Sequence, residues 1–294
     1  MKKMFLTTTV LSTIFGFSAV HGPALAQRDY SNVEIKTTQV TDDIYMLEGA
    51  GGNIGLSIGD DGAFVIDDQF APLSDKIAAA ISALTDKPVE FVLNTHHHGD
   101  HTGGNEALGK SGAYIISHDN VHKRLSDAKN TSPDALPVIT FSHSATFHRN
   151  GHEIYVKHPE NAHTDGDSIV FFKNANVIHM GDVFFSGGYP YIDLKSGGSL
   201  SGYIQALEYV ASLADDETKI IPGHGPLSSK VELDASIAML KTVRSRVQAQ
   251  IDEGLSEAEA IAARPLDDLD EEWGSGFMDS EFTVKTAYQS LKAE

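Results

Sequence analysis

Short apolar runs, parted by glycine or aspartate, dominate the readable start of the chain. Val33 to Gln39, Ile44 to Glu48, Ile54 to Ile58 and Ala63 to Asp67 are strand-length pieces of this kind. The period then lengthens. Pro72 near its start, with Leu73, Ile77, Ala80, Ile81 and Leu84 on one face, predicts a helix over 72–84. Val89 to Thr95 reads as a buried strand, and a second strand and helix follow at Ala113 to Ser117 and Asp119 to Ala128. Beyond a polar loop, Lys129 to Pro137, the order repeats in outline. Strands are predicted at Val138 to Phe141, Ala145 to Phe147, His152 to Lys157, Ser168 to Lys173 and Val177 to Met180. A helix at Ser201 to Leu213, a strand at Lys219 to Ile221 and a long helix from Ser229 to Glu253 come next. The long helix keeps Leu233, Ile237, Leu240, Val247 and Ile251 at helical spacing. Ser256 with Glu259 forms a capping box for another helix, Arg264 to Asp279 reads as an acidic loop, and Glu281 to Lys292 as a last helix.

Strands followed by helices, twice over, imply an α/β chain of two sheets packed together with helices outside each. No tandem repeat or linker divides it, and one domain over 27–294 is expected.

The candidate chemistry gathers after the strand at Val89. Asn94-Thr95-His96-His97-His98-Gly99-Asp100-His101-Thr102-Gly103-Gly104 places four metal-capable side chains, His96, His98, Asp100 and His101, within six residues. Imidazole nitrogen and carboxylate oxygen both suit zinc and similar ions. A helix would spread such near neighbours round its circumference, whereas a tight loop eased by Gly99, Gly103 and Gly104 brings them to one point. His97, interleaved with them, should face away. The set exceeds what one three-ligand site needs, which suggests two metals sharing a loop.

His96-x-His98-x-Asp100-His101 after a hydrophobic strand resembles the signature of the metallo-β-lactamase-fold hydrolases. The pattern continues with His163 in Asn161-Ala162-His163-Thr164-Asp165-Gly166-Asp167, Asp182 in His179-Met180-Gly181-Asp182, and His224 in Pro222-Gly223-His224-Gly225. The resemblance implies the four-layer αββα sandwich of that fold. It places His96, His98 and His163 on a first metal and Asp100, His101 and His224 on a second, with Asp182 bridging as in the glyoxalase II-like branch. The best-known lactamases carry a cysteine at that bridging position. Oxygen in place of thiolate leaves iron or manganese open beside two zinc ions. Two ions roughly 3.5–4 Å apart share a water and bring its pKa towards neutrality, so a bridging hydroxide attacking a carbonyl is the expected mechanism. Asp100 is also assigned the catalytic task of aiming that hydroxide.

Other residues carry weaker expectations. Asp67 and Asp68, ending a strand, either orient ligand histidines or begin the next helix. Gly49 to Asn53 is a hairpin turn or, by the resemblance, a turn beside the substrate mouth. His118 is expected to be exposed, with a supporting hydrogen bond to the site as the alternative. Many lactamases of the family place a substrate-gripping lysine three residues beyond the second-metal ligand; here that position is Phe185, and Lys195 is the candidate substitute. Phe70, Phe184, Tyr189 and Tyr191 are candidates for an apolar mouth.

Composition narrows the partners. Residues 1–26 begin with Lys2-Lys3, continue through a largely apolar Met4 to Val20 and end at Ala24-Leu25-Ala26, which reads as a secretory signal and predicts a periplasmic or secreted protein. No later run is apolar enough to span a bilayer. With 41 acidic against 22 basic residues the net charge is −19, which disfavours nucleic acid and anionic membranes as partners. The chain has no cysteine, so neither disulfide nor thiolate ligand is available. A small-molecule substrate is expected, and broad or weak β-lactamase activity is the leading specific expectation. A thioesterase or lactonase is the enzyme alternative, and a periplasmic metal-binding accessory protein the non-enzyme one. Oligomeric state is not encoded in any motif.

Overall fold

A computed structural model describes residues 29–294, and the predicted leader over 1–26 lies outside them. The first sheet holds β1 (Lys36–Gln39), β2 (Ile44–Glu48), β3 (Ile54–Gly59), β4 (Gly62–Ile66), β5 (Val89–Leu93), β6 (Tyr114–His118) and β7 (Ile139–Phe141), in spatial as in chain order. The first four strands pair antiparallel, and β4 to β7 pair parallel. Parallel neighbours need crossovers. These are α1 (Ser74–Ser82), then α2 (Gly99–Thr102) with α3 (Asn105–Lys110), then α4 (Asp119–Asp127).

The second sheet holds β8 (Ser144–Arg149), β9 (His152–Lys157), β10 (Ile169–Phe172), β11 (Val177–His179), β12 (Lys219–Ile221) and β13 (Ser228–Ser229). The crossover between β11 and β12 is α5 (Leu200–Leu213). The chain finishes with α6 (Lys230–Asp252), α7 (Glu257–Ala262), α8 (Asp270–Trp273) and α9 (Ser280–Ala293).

Alternation along the central strands explains the layering. In β4, Phe64 and Ile66 join the core between the sheets, while Ala63 and Val65 face α1 with Ile77 and Ile81. In β10, Val170 and Phe172 face the same inter-sheet core, while Ile169 and Phe171 face Leu207, Leu240 and Val243 of the C-terminal helices. Strands buried on both faces are apolar at nearly every position. The result is the αββα sandwich expected from the sequence. Among the described residues, no helix is long and apolar enough to cross a membrane.

Several boundaries differ from the expectation. The helix predicted over 72–84 opens as a 3-10 turn at Ala71–Leu73 and becomes α-helical only at Ser74. The motif expected as a loop is half helical: His96 and His98 precede α2, while Asp100 and His101 lie on it. One turn is short enough for the two adjacent side chains to reach the same point. The helix α3 and the two-residue strand β13 were not expected. The acidic loop at 264–279 contains α8, pinned by the buried Trp273. The capping box at Ser256 is present, and Ser229 makes another at the start of α6.

Candidate metal centre

The candidate donors all lie where strands end, on the loops leaving β5, β11 and β12 and on the segment between β9 and β10. They form two adjoining groups that could each hold a metal ion: His96, His98, His163 and Asp182 in one, Asp100, His101 and His224 in the other. All seven side chains singled out from the sequence are brought together.

Asp182 sits between the groups. Its Oδ1 lies 3.0 Å from His101 Nε2 and 3.3 Å from His224 Nε2. Its Oδ2 lies 3.6 Å from the Nε2 atoms of both His96 and His163. Asp100 Oδ2 faces the second group, 3.4 Å from His224 Nε2 and 3.7 Å from His101 Nε2. Although buried, Asp182 Oδ1 has no hydrogen-bond partner among the described residues. A buried carboxylate oxygen left this way calls for a cation.

Hydrogen bonds behind the rings decide which nitrogen faces inward. His163 Nδ1 lies 2.8 Å from the Tyr191 carbonyl oxygen and must donate to it. His101 Nδ1 donates to Asp67 Oδ2 at 2.7 Å. Thr95 Oγ1 donates to the same Asp67 oxygen at 2.7 Å, and so accepts from His96 Nδ1 at 3.1 Å. His98 Nε2 donates to Asp193 Oδ2 at 3.1 Å. The inward nitrogens of His96 and His163 then carry lone pairs and come within 3.1 and 3.0 Å of His98 Nδ1. Lone pairs converging at that range repel unless a positive charge lies among them. Oriented imidazoles backed by carboxylates and a carbonyl are what metal binding needs.

Electrostatics agree with the geometry. Burial pushes His163 down to about 4 and His96 well below the usual imidazole value, so both are neutral near pH 7. Burial alone would lower His101, but Asp182 and Asp67 outweigh it and raise it well above that value. His224 rises to about 9 in the same way, burial being outweighed by Asp182 and Asp100. Burial would raise the Asp182 carboxyl, yet His101, His224 and His96 hold it well below the usual range. The pocket thus recruits positive charge, as protons or as metal.

Close backbone approach makes room for these groups. A Cβ on Gly52 would run into the His101 ring, and one on Gly223 would run into Asp182 Oδ1. Asp67 takes a positive φ of 62°, unusual for a residue with a side chain, where it turns beneath Thr95 and His101. Asn53 was not singled out from the sequence. Its Nδ2 donates to the carbonyls of Pro222 at 3.0 Å and Gly225 at 2.8 Å, and its backbone N–H to Gly223 at 2.7 Å. The Gly49 to Asn53 turn therefore clasps the His224 loop from the opposite sheet, besides lending Ala50 to the cavity wall. Asp193 was also missed, because a lone carboxylate beyond an aromatic pair carries no spacing signal.

The donors open into a cavity of about 800 Å³ lined by Asp100, Asp182, His98 and His224. Of the expected mouth residues, Phe70, Tyr189 and Tyr191 line it. Phe184 does not; it is 1% exposed and packs into the core under the C-terminal helices. The neighbouring Phe185 points the other way, lines the cavity and stacks on His224 with ring centroids 5.0 Å apart. Lys195 is not in the wall either. It lies exposed on a one-turn helix, Leu194–Ser196, capped by Asp193. His97 turns from both donor groups to the Ser196 hydroxyl at 3.4 Å. His118, expected at the surface, is buried. Its Nδ1 accepts from the Asn120 N–H at the start of α4, and its ring stacks on His158 at 3.8 Å. Asp67 does orient a candidate ligand, whereas Asp68 accepts from the Gly104 N–H and holds the loop.

The chain is similar to several known proteins. A hydroxyacylglutathione hydrolase of Pelagibacter ubique is 30% identical over 147 residues, 49% of this chain and 56% of that one. The chain thus spans about half the length of the curated relatives it matches. Among solved structures, a metallo-beta-lactamase from Pontibacter korlensis superposes with a TM-score of 0.62 at 17% identity, covering 71% of this chain and 99% of that one. A sec-alkyl sulfatase superposes with a TM-score of 0.70 at 16% identity, covering 87% of this chain and 50% of that one. The family description that matches, over residues 48–224, takes in every candidate donor from His96 to His224. By that match the chain belongs to the metallo-beta-lactamase superfamily.

Proposed function

We propose that the chain is a hydrolase with two zinc ions at the paired donor groups, acting on a carbonyl of a cyclic amide, ester or thioester. The observation that carries this reading is Asp182, which turns one oxygen to each donor group at the floor of an open cavity. Bound there, two zinc ions would lower the pKa of a shared water and polarise the carbonyl. The chain's own residues do the rest. Asp100, a quarter exposed beside His224, accepts a hydrogen bond from the incoming water and aims it. Water adds to the carbonyl carbon, the bond to nitrogen, oxygen or sulfur breaks, and the proton ends on the departing atom. Asp67 and Asp193 hold His101 and His98 in place throughout.

A β-lactam is the first substrate to test, and export through the segment 1–26 belongs to this proposal. A thioesterase is the second reading. It is favoured by the carboxylate at Asp182 and by the likeness to a hydroxyacylglutathione hydrolase. An accessory metal-binding protein needs no solvent-facing donors; Asp100 at 25% exposed and His224 at 31% speak for turnover.

The test is metal analysis of the purified chain beside a panel of β-lactam, lactone, thioester and phosphodiester substrates. Zinc-loaded protein is expected to open a chromogenic β-lactam, and a chelator to abolish this. Fully metallated protein that cleaves thioesters but no β-lactam would select the second reading. No carbonyl turnover at all would overturn both.

A further inference from the structure

Much of the cavity lining beside the donor groups is aromatic and aliphatic. Phe70, Phe185, Tyr191, Phe277 and Met278 contribute to it, and no lysine or arginine among the described residues does. A substrate whose far end bears a carboxylate would find no counter-charge on that wall. Its polar groups would lose water without compensation. An apolar group would displace weakly held water instead.

Phe277 is the least expected member. It is 82% exposed, the most exposed large hydrophobic side chain among the described residues, yet it borders the cavity. It belongs to the segment between α8 and α9, beyond the family match that ends at His224. That segment is tied down on both sides of Phe277. Tyr189 N–H donates to the Trp273 carbonyl at 3.2 Å, and Tyr189 pairs as an isolated bridge with Met278. Asp270 accepts from Tyr189 Oη at 3.2 Å and from Ser280 Oγ at 2.8 Å. Gly188 and Gly276 meet where a Cβ on either would come within 3.3 Å of the other's Cα. The strap is thus laid directly on the loop following Asp182, and it brings the exposed Phe277 to the cavity wall.

From this wall and strap we infer that the substrate's non-reacting part is an uncharged, apolar group, such as a medium-length acyl chain, seated under Phe277. The inference rests on the hydrolase reading for the position of the reacting carbonyl, and it favours the ester and thioester arm of that reading over a β-lactam, whose carboxylate this wall would leave unpaired. Phe277 acts as a specificity residue: it covers the apolar group and excludes water from it, without touching the reacting atoms.

Two measurements on the full zinc-loaded chain test this. The first compares kcat/KM for p-nitrophenyl octanoate, acetate and the anionic hemisuccinate. Octanoate should be preferred over both others, and Phe277→Ala should cut the octanoate-to-acetate ratio about tenfold, the worth of partly burying one phenyl ring. Phe277→Lys should move preference towards the hemisuccinate. Equal rates for all three esters, or a ratio unmoved in both variants, would overturn the inference and leave the hydrolase standing. The second is independent of turnover. It is isothermal titration calorimetry with amides that stand in for the esters. Octanamide should bind more tightly than suberic acid monoamide, its anionic counterpart of equal length, and Phe277→Ala should weaken octanamide severalfold. If no ester is cleaved, the hydrolase reading is judged by the β-lactam, lactone and thioester panel, while this titration still decides the substrate class. Tighter binding of the anionic amide would overturn it.

Discussion

Asp193 braces His98 from behind: its Oδ2 lies 3.1 Å from His98 Nε2, leaving Nδ1 to face the donors. The other oxygen accepts from the Lys195 and Ser196 backbone N–H groups, so the brace is itself fixed. Removing such a backing group typically lowers metal affinity by about 10–100-fold. Asp193→Ala is therefore expected to weaken zinc binding by that order in a chelator competition. Asp193→Asn keeps an acceptor and should lose less. Equal affinity in wild type and the alanine variant would show that His98 needs no brace.

Asp182 serves both donor groups, and its loss should be felt by both. Under the proposed two-zinc reading, Asp182→Asn is expected to reduce bound metal from two ions per chain to one or fewer, and to reduce turnover with it. His98→Ala should strip the first group preferentially. Elemental analysis of the purified variants, with rates measured on the same samples, checks this. Full metal content and rate in Asp182→Asn would place the chemistry elsewhere.

Gly52 and Gly223 have no room for a side chain. Gly52→Ala drives a methyl group into the His101 ring, and Gly223→Ala drives one into the Asp182 carboxylate. Each is expected to destabilise the fold by about 1–3 kcal/mol, the usual range for overpacking. Each should also lower metal content. Urea midpoints that match wild type would mean that these loops yield more easily than the packing implies.

His179 contributes to the pH dependence of stability. Burial pushes it down to about 4; its Nε2 donates to the Asn53 carbonyl at 3.1 Å and its Nδ1 accepts from Gly181 N–H at 3.2 Å. Because the folded value lies below the ordinary 6.5, the unfolded chain takes up this proton first. The stability from a neutral His179 is complete above pH 6.5 and is lost as the pH falls towards and through about 4. That loss amounts to roughly 3 kcal/mol. His179→Asn should start less stable at pH 7 but fall less steeply between pH 6.5 and 4 in urea titrations. Parallel slopes would assign the acid sensitivity to other groups.

The seven candidate donors were legible because HxHxDH after an apolar strand is rare by chance, and the family pattern it resembles pointed on to His163, Asp182 and His224. The sandwich was legible because double-sided burial makes β4, β10 and β11 nearly continuous apolar runs. What could not be read depends on local twist. Phe184 and Phe185 differ by one position, and the turn at Gly181–Val183, entered through a positive φ at Gly181, decides which ring faces the cavity. Strand alternation says nothing across such a turn. His118 looked like an ordinary strand-end histidine because the carbonyl and the ring that bury it come from 142 and 158. Asn53 and Asp193 act through contacts spanning more than ninety residues, which no local spacing encodes. The strap carrying Phe277 read as an acidic loop, since its anchors, Asp270 and Gly276, are common loop residues.

The donors are shared unequally between the halves of the sandwich: His96, His98, Asp100 and His101 follow a strand of the first sheet, and His163, Asp182 and His224 belong to the second. Neither half assembles a complete donor group without the other. An ion seated there would act as a rivet across the seam and draw the halves together in proportion to its affinity. Scarcity of metal would then loosen the seam as well as idle the catalyst, exposing backbone to proteases and tying the protein's lifetime to supply of the ion it works with.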